Sequence, residues 1–213
     1  MFPALRSEVA ERFTAVERFF EQSCRLKGEL SKTARGLAFV QMYAIHEYTI
    51  VTAVEHAAKT MAAHTPTFAE LRPSLLALFL DAELRSVRDT DKDQWLSRLA
   101  LFDRASSKTP AVFPGEPALP ADGSHFRHTQ IELILKVFGV KKNPTVRKRH
   151  LFLIDEVVNH RNSIAHGSST AAEVGKRYSN QDVRDTIRRM KSACLRLIKI
   201  LEEHCSDPAR LCR

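Results

Sequence analysis

The chain has 213 residues, 44% of them hydrophobic, which is enough to bury one core or one core with an appendage. It carries 33 lysines and arginines against 25 aspartates and glutamates, a formal net charge of +8. Basic surfaces of this kind suit a polyanionic partner, and a merely solvated cationic face is the equally simple alternative. No segment offers the roughly 18 uncharged apolar residues of a membrane span, so we expect no membrane partner.

The cysteines form no CxxC pair, and charged residues such as Arg6 and Glu8 occupy the amino terminus where a signal peptide needs an apolar stretch. We therefore expect a cytoplasmic protein with reduced thiols. His204 and Cys205 lie close to Cys212 in sequence, but one histidine and two cysteines near the end of a chain are more often incidental than a metal site. We expect neither metal nor cofactor.

Only 7 glycines and no alternating apolar runs of strand length predict an all-α helical bundle, organised as a single domain over residues 1–213. The first four helices are predicted over residues 4–25, 33–63, 74–87 and 91–104. The first has Leu5, Val9, Val16 and Phe20 on its inner side, the second has Ser31 as its cap, and the fourth is anchored by Trp95, Leu99 and Phe102.

Four prolines then interrupt the chain between residues 106 and 123, at positions 110, 114, 117 and 120. A stretch of this length without periodicity predicts a long inserted loop, which we expect to be mobile. Ser124 is predicted to cap the next helix, which continues through Phe138 and ends at Gly139.

The last helix has a regular apolar stripe and a basic outer surface. Its start is predicted by Ser179 with Asp182 three positions later, the pattern of a capping box. Apolar residues at alternating steps of four and three predict a buried face: Val183, Ile187, Met190, Cys194, Leu197 and Leu201.

Residues 157–167 place polar residues in the last turns of an otherwise apolar helix, which is predicted to stop at Gly167. Successive side chains on a helix turn by about 100°, so Asn162 and His166 share a face, whereas Arg161 lies about 140° away from His166. A cation, an amide and an imidazole held together are suited to phosphate chemistry. An intact helix, however, brings Arg161 and His166 to one point only through long side chains or a second subunit.

Glu47 falls on the stripe of the second helix that includes Tyr43 and Ile50 and is expected to face inward. A buried carboxylate needs a partner, because removing its charge from water costs several kcal/mol. Arg161 is the preferred partner. The alternative is an ion pair that only joins two helices.

The sequence around Arg161 and His166 resembles the HEPN superfamily, whose signature is an arginine, usually followed by a polar residue, and a histidine, with four to six residues between the two. Arg-Asn-Ser-Ile-Ala-His at 161–166 has this form. The resemblance covers most of residues 34–204 and includes the apolar runs at 131–139 and 153–158. Residues 37–47 are similar to the early helix of the stand-alone RiboL-PSP and MAE-type HEPN proteins.

The resemblance implies a metal-independent endoribonuclease, with two motifs meeting at a homodimer interface and products bearing 2′,3′-cyclic phosphate and 5′-hydroxyl ends. It also implies a toxin-antitoxin or antiviral defence setting, with a cognate antitoxin or a defence-system protein as a partner. RNA supplies its own nucleophile, the 2′-hydroxyl, so the protein must supply proton transfer by His166 and charge stabilisation by Arg161. Asn162 would orient the phosphate or the imidazole, and the sequence leaves open whether His166 acts as acid or base.

Basic residues on both sides of the motif are the candidates for RNA binding. They are Lys141, Lys142, Arg147, Lys148, Arg149, Lys176, Arg177, Arg184 and Arg188. His160 is expected at the surface or behind the site, and His46, His56 and His64 are expected to decorate the second helix. Two rival hypotheses stay open: a non-catalytic helical module that binds RNA or a protein, and an adaptor subunit for a nucleotidyltransferase-like antitoxin.

Overall fold

A computed structural model describes residues 1–89, 92–112, 126–140, 148–210 and 212. Within these ranges the chain forms nine α-helices and no β-strand, which confirms the all-α class. The helices are α1 (Phe2–Ser23), α2 (Gly28–Ala62), α3 (Pro73–Phe79), α4 (Asp81–Asp89), α5 (Gln94–Ser106), α6 (His128–Val137), α7 (Lys148–Ala165), α8 (Ala171–Gly175) and α9 (Asn180–Cys205). None of the helices in the described ranges combines the length and the apolar character needed to cross a bilayer.

The chain divides into two compact units, and the boundaries that lie in the described ranges fall within α2, α6 and α9. Unit 1 comprises residues 1–53, 123–131 and 144–199, and unit 2 comprises residues 54–122, 132–143 and 200–213. That the two units form a single domain stays a prediction.

The core of unit 1 is built from the predicted apolar stripes of α1 and α9. Every residue that the sequence placed on the inner side of α1 is buried, as is every member of the α9 stripe, of which only Leu201 belongs to unit 2. The centre of α2 adds Phe39, Met42, Tyr43 and Ile50, all at most 1% exposed. The 3-and-4 spacing therefore identified the buried faces of the long helices, because a helix that packs on one side must repeat its apolar residues at that interval.

The start of α2 differs from the prediction, which placed it at Thr33 with Ser31 as the cap. The helix begins at Gly28, so Ser31 lies inside the first turns, where its hydroxyl accepts a hydrogen bond from Arg35. Glu29 and Lys32 form an ion pair with a separation of 2.6 Å. Favourable helix formers and this pair extend the helix beyond the point where a capping residue alone would place its start.

In unit 2, α4 packs against α5, and neither helix has a buried residue. The prediction that Trp95, Leu99 and Phe102 anchor α5 is wrong, since these side chains are 73%, 58% and 69% exposed. Periodicity identifies an apolar face of a helix, but it does not show whether another element covers that face. In the described part of the chain, no element covers the side chains of Trp95, Leu99 and Phe102.

The first residues of the predicted insert form backbone hydrogen bonds within unit 2. Phe68 donates to the carbonyl of Thr109 at 3.2 Å, and Ala111 donates to the carbonyl of Pro66 at 2.7 Å. Mobility of the predicted loop over 106–123 stays a prediction. Residues 113–125, which include the later prolines and Ser124, lie outside the described ranges.

The segment from α7 to α9 positions the candidate site. Gly167 follows α7 with φ +71°, the left-handed conformation predicted for a glycine at a helix end. The expected polar link after it contains the short helix α8, which starts with a capping box between Thr170 and Glu173. At the start of α9, Ser179 and Asp182 exchange the predicted backbone to side-chain hydrogen bonds, at 2.8 and 3.1 Å.

Candidate active site

Helix α7 has one polar stripe along a side that is not buried. Asp155, Asn159, Asn162 and His166 follow one another at steps of four, three and four, which places them on one face. Asn159 and His166 are exposed, and Asp155 and Asn162 are half-buried. The opposite side of the helix packs into unit 1 through Val157 and other apolar residues. The stripe is therefore a polar surface on a helix whose position the core fixes.

Arg161 is half-buried and is held from two sides. Its guanidinium carbon lies 4.7 Å from the centroid of the Tyr43 ring on α2, and its Nη1 donates to Oδ1 of Asn162 at 3.3 Å. The first contact is a cation–π interaction, which attracts the charge to the face of the ring. Arg161 thus points toward α2 while its guanidinium remains tied to the polar stripe through Asn162.

Tyr43 connects Arg161 with the predicted carboxylate. Its hydroxyl donates to Oε1 of Glu47 at 3.4 Å, one turn further along α2. Burial raises the pKa of Tyr43 above its usual range, Glu47 adds to this increase, and the Arg161 charge opposes it. Glu47 therefore contacts the hydroxyl of Tyr43, whereas Arg161 contacts the face of its ring. Their direct pairing stays a prediction.

His166 lies immediately after the last residue of α7 and is exposed to solvent. Its backbone N–H donates to the carbonyl of Asn162 at 2.9 Å, so the helical hydrogen-bond pattern holds it at the end of the polar stripe. Asn162 and His166 share a face, as the helix geometry predicted, and Arg161 leaves the helix on another. Asn162 is consequently the residue that joins the arginine to the stripe ending in the histidine.

Sequence reasoning missed a segment that lies against this stripe, at the start of α6. The side chain of Arg127 donates from Nη2 to Oδ1 of Asn159 at 2.8 Å. The backbone N–H of His128 donates to Oδ1 of Asp155 at 3.1 Å, and its Nδ1 lies 2.6 Å from Oδ2 of the same carboxylate. The only sequence signal was the pair of basic residues itself, because nothing in the spacing links residue 127 to residue 159.

Of the two positions expected for His160, the surface is excluded, because only 12% of its side chain is exposed. Its ring packs edge-on against Phe39, and its Nε2 donates to the hydroxyl of Tyr178, which donates in turn to Glu156. Burial lowers the pKa of His160. Burial and the hydrogen bond to Glu156 raise the pKa of Tyr178. This network fixes α7 against α2 and lies on a different face of α7 from the polar stripe.

His46 is also not a decoration of the helix surface, since it is 2% exposed. Its Nε2 lies 3.0 Å from the carbonyl oxygen of Phe126, and its Nδ1 lies 3.9 Å from Sγ of Cys194. Burial lowers the pKa of His46 to about 4. A neutral imidazole at this position therefore donates to the carbonyl of Phe126 and holds the residue next to Arg127. By contrast, His56 is half-buried, and His64 is exposed beyond the end of α2.

Acid is expected to destabilise the protein through His46. The unfolded chain binds a proton at this histidine below about pH 6.5, whereas the folded protein does so only near pH 4. The contribution of His46 to stability is therefore fully present above about pH 6.5. It decreases by about 1.4 kcal/mol for each pH unit below that value, or by about 3 kcal/mol between pH 6.5 and 4. The free energy of unfolding in urea, measured between pH 7.5 and 4.5, checks this.

His46→Gln is the matched variant, because an amide can donate to the same carbonyl but does not titrate. Its free energy of unfolding is expected to fall less steeply with decreasing pH than that of the parent. Between pH 6.5 and 4 the difference in slope corresponds to about one fewer proton taken up on unfolding. Other histidines with lowered pKa, such as His160 and His204, contribute equally to both proteins. Identical slopes in the parent and the variant would contradict the assignment.

The predicted RNA-binding residues occupy different environments. Arg184 donates to Glu21 of α1 at 2.6 Å, and Arg188 pairs with Asp185. Lys176 and Arg177 are exposed after α8. Residues 141–147 lie outside the described ranges, and so do the side chains of Lys148 and Arg149. RNA binding by all these residues stays a prediction. Carboxylates already neutralise part of the basic surface of α9.

Among the described residues, no group of three or more histidine, cysteine, aspartate or glutamate side chains is arranged to hold a metal ion. The four cysteines are unpaired, and His204 and Cys205 are buried in unit 2. Burial raises the pKa of the Cys205 thiol to about 12, which disfavours the thiolate form that a metal requires.

Comparison with known proteins gives one family. The family model of the MAE_28990-like HEPN proteins matches residues 2–207, which include all nine helices of the described chain and the Arg161–His166 motif. No curated protein and no solved structure matches the chain significantly.

Proposed function

Because the chain belongs to the MAE_28990-like HEPN family, we propose that it is a metal-independent endoribonuclease with Arg161 and His166 at its centre. The observation that carries the proposal is the position of the motif. Arg161 is held on the Tyr43 ring, and Asn162 ties it to a polar stripe that ends in the exposed His166. A nuclease and RNA-related role is what the family supports, and the reaction, the site and the setting are our proposals.

In the proposed reaction the 2′-oxygen of one ribose forms a bond to the adjacent phosphorus, and the bond from phosphorus to the 5′-oxygen breaks. A base removes the 2′-hydroxyl proton, and an acid returns a proton to the departing 5′-oxygen. His166 performs one of these two transfers, since it is solvent-exposed at a helix end where an RNA strand can reach it. No metal is required, because RNA contains its own nucleophile.

Arg161 stabilises the negative charge that develops on the phosphate oxygens. A guanidinium suits this role because its planar fork presents parallel N–H donors to two oxygens. The Tyr43 ring beneath it and the Asn162 oxygen beside it restrict the fork before substrate binds. Asn162 orients the arginine and the phosphate, and Glu47 supports the site through the Tyr43 hydroxyl.

The separation of Arg161 and His166 on α7 favours a homodimer. They leave the helix about 140° apart, so the arginine of one subunit reaches the histidine of the other more readily than its own. We propose that two motifs converge in this way and that the predicted RNA-binding residues, such as Lys176 and Arg177, bind the RNA that enters. A toxin or antiviral effector in the cytoplasm, held inactive by a cognate antitoxin, is the setting that the family suggests.

The alternative of a non-catalytic RNA-binding or protein-binding module uses the same observations differently. A cation–π contact between Arg161 and Tyr43 also joins α7 to α2, so the arginine has a structural role with or without chemistry. This alternative predicts RNA binding without strand cleavage. It is tested in the same experiment.

The purified protein is incubated with a defined RNA oligonucleotide in EDTA, and the product ends are identified. We expect 2′,3′-cyclic phosphate and 5′-hydroxyl ends. We also expect no cleavage of a matched oligonucleotide that carries a 2′-deoxyribose at the cleaved position. Cleavage that requires a divalent ion, or that leaves a 5′-phosphate, would contradict the proposal. Binding of the intact RNA without cleavage would support the non-catalytic module.

A further inference from the structure

Resting on the proposed function, we propose that Arg127 and His128 form a second RNA contact, which holds the strand along the polar stripe of α7 next to the cleaved phosphodiester. Arg127 binds a backbone phosphate that flanks the cleaved one, and His128 contacts the adjoining ribose. The juxtaposition that carries this is the attachment of both residues to the stripe that ends in His166.

The helix geometry gives the order in which an RNA strand along the stripe would meet these residues. The rise of an α-helix is about 1.5 Å per residue, so Asn159 lies about 10 Å from His166 along the axis and Asp155 about 16 Å. Arg127 is held at the first of these positions and His128 at the second. An RNA strand that follows the stripe therefore meets the proposed catalytic residues first, then Arg127, then His128. A substrate of a few nucleotides spans these contacts, and a dinucleotide does not.

The chemistry of Arg127 suits a phosphate. Its partner Asn159 is a neutral amide that accepts one hydrogen bond and does not neutralise the charge, and the rest of the planar fork carries four further N–H donors. Asp155, the carboxylate on the stripe, is engaged by both the backbone N–H and Nδ1 of His128. This places Nε2 of His128 as the ring nitrogen opposite the carboxylate, where it accepts from a ribose hydroxyl in the neutral form.

The contacts behind this segment hold it in place before RNA arrives. The buried His46 lies 3.0 Å from the carbonyl oxygen of Phe126, and Tyr43 is hydrogen-bonded to the Phe126 backbone. Tyr43 is also the ring beneath Arg161. One tyrosine therefore positions both the proposed charge-stabilising residue and the segment that precedes Arg127, so the two RNA contacts have a fixed spacing.

Arg127→Gln tests the proposal with substrates of two lengths. For an RNA of about ten nucleotides we expect KM to rise about tenfold, because one phosphate contact is lost, while kcat changes little. For a dinucleotide we expect no change. The dependence of log KM on log salt concentration is expected to become shallower by about 0.7, the value for one phosphate contact on a single strand. Arg127→Lys retains the charge and is expected to keep the parental slope.

Arg18→Gln removes the same charge from an exposed position on α1 and is the control. The proposal is overturned if Arg127→Gln behaves like Arg18→Gln. It is equally overturned if the variant lowers the melting temperature and kcat for both substrates without a change in the salt slope. If Arg127→Gln does not fold, the KM of Arg127→Lys decides. The ammonium lacks the planar fork, so we expect KM to rise for the longer RNA and not for the dinucleotide, and an unchanged KM for both substrates overturns the proposal.

Binding of a non-cleavable 2′-deoxy-substituted RNA separates this inference from the proposed function. One outcome is that the parent binds this RNA but does not cleave the unmodified RNA, while Arg127→Gln binds less tightly and with a shallower salt slope. That outcome supports the second contact and rejects the nuclease. A parent that cleaves, with an Arg127→Gln variant equal to it on both substrates, supports the nuclease and rejects the second contact.

Discussion

Mixing two inactive variants, Arg161→Ala and His166→Ala, is expected to restore RNA cleavage. Each variant alone is expected to lose at least about 100-fold in rate, because acid–base catalysis contributes about 10²- to 10⁴-fold and a charge-stabilising donor about 10²- to 10³-fold. In a mixed dimer, one of the two shared sites receives the intact arginine from one subunit and the intact histidine from the other. The measurement is the cleavage rate of a defined RNA in EDTA, before and after subunit exchange.

The variants must also be folded, and the structure predicts different risks for them. His166 is exposed, so its replacement is expected to leave the melting temperature unchanged. Arg161→Ala removes the contact with the Tyr43 ring, so Arg161→Lys provides a second variant that keeps the charge but not the planar fork. His64→Ala, an exposed histidine outside the motif, is the control and is expected to retain parental activity.

Failure of the mixture to recover activity, with both variants folded and dimeric, would contradict a site shared between subunits. An active parent that is strictly monomeric would contradict it as well. In either case the two side chains would have to meet within one subunit, although they leave α7 on different faces. The nuclease proposal itself would then rest on the product ends and on the loss of activity in each variant.

The parts of this fold that the sequence predicted are those set by local chemistry. The buried stripes of α1 and α9, the end of α7 at Gly167 and the capping box at Ser179 each depend on residues within one or two helical turns. Patterns of this kind can be predicted from the sequence, because side chains three or four residues apart share a face of the helix. The same reasoning placed Asn162 and His166 on one side of the motif helix.

The parts that it missed are contacts between segments distant in sequence. Tyr43 was assigned only to the core of α2, although its ring also carries Arg161 from α7. Arg127 and His128 follow the proline-rich segment and gave no periodic signal, yet they lie against residues 159 and 155. A helical period predicts which face is polar but not which distant residue lies on it. The exposed apolar face of α5 illustrates the converse, an apolar stripe with no described partner.

Gly36→Ala is expected to cause a large loss of stability in unit 1. A Cβ placed on Gly36 would lie 1.9 Å from the backbone oxygen of Ala171, and one placed on Gly175 would lie 1.8 Å from the backbone oxygen of Lys32. The backbones of α2 and α8 are therefore in contact at this point. Backbone atoms cannot turn aside as a flexible side chain can, so the two helices would have to separate.

Separating these helices affects more than the two glycines. Arg35 of α2 donates to the carbonyl of Gly175 at 2.9 Å and to Asn180 at the start of α9, so one side chain holds the contact in register. Overpacking usually costs about 1–3 kcal/mol and occasionally more, and rigid backbone atoms place Gly36→Ala at the upper end, at about 3 kcal/mol. For a protein of this size that corresponds to a decrease of about 10 °C in melting temperature.

Thermal and urea unfolding of Gly36→Ala and of the neighbouring Leu37→Ala measure this effect. Leu37 is 40% exposed, so truncating it is expected to lower the free energy of unfolding by about 1 kcal/mol, well below the loss for Gly36→Ala. RNA cleavage is expected to fall with Gly36→Ala even below its melting temperature, because α2 also carries Tyr43 and Glu47. A Gly36→Ala protein as stable as Leu37→Ala would mean that α2 and α8 do not approach as closely as described, and the position of Tyr43 beneath Arg161 would lose its support.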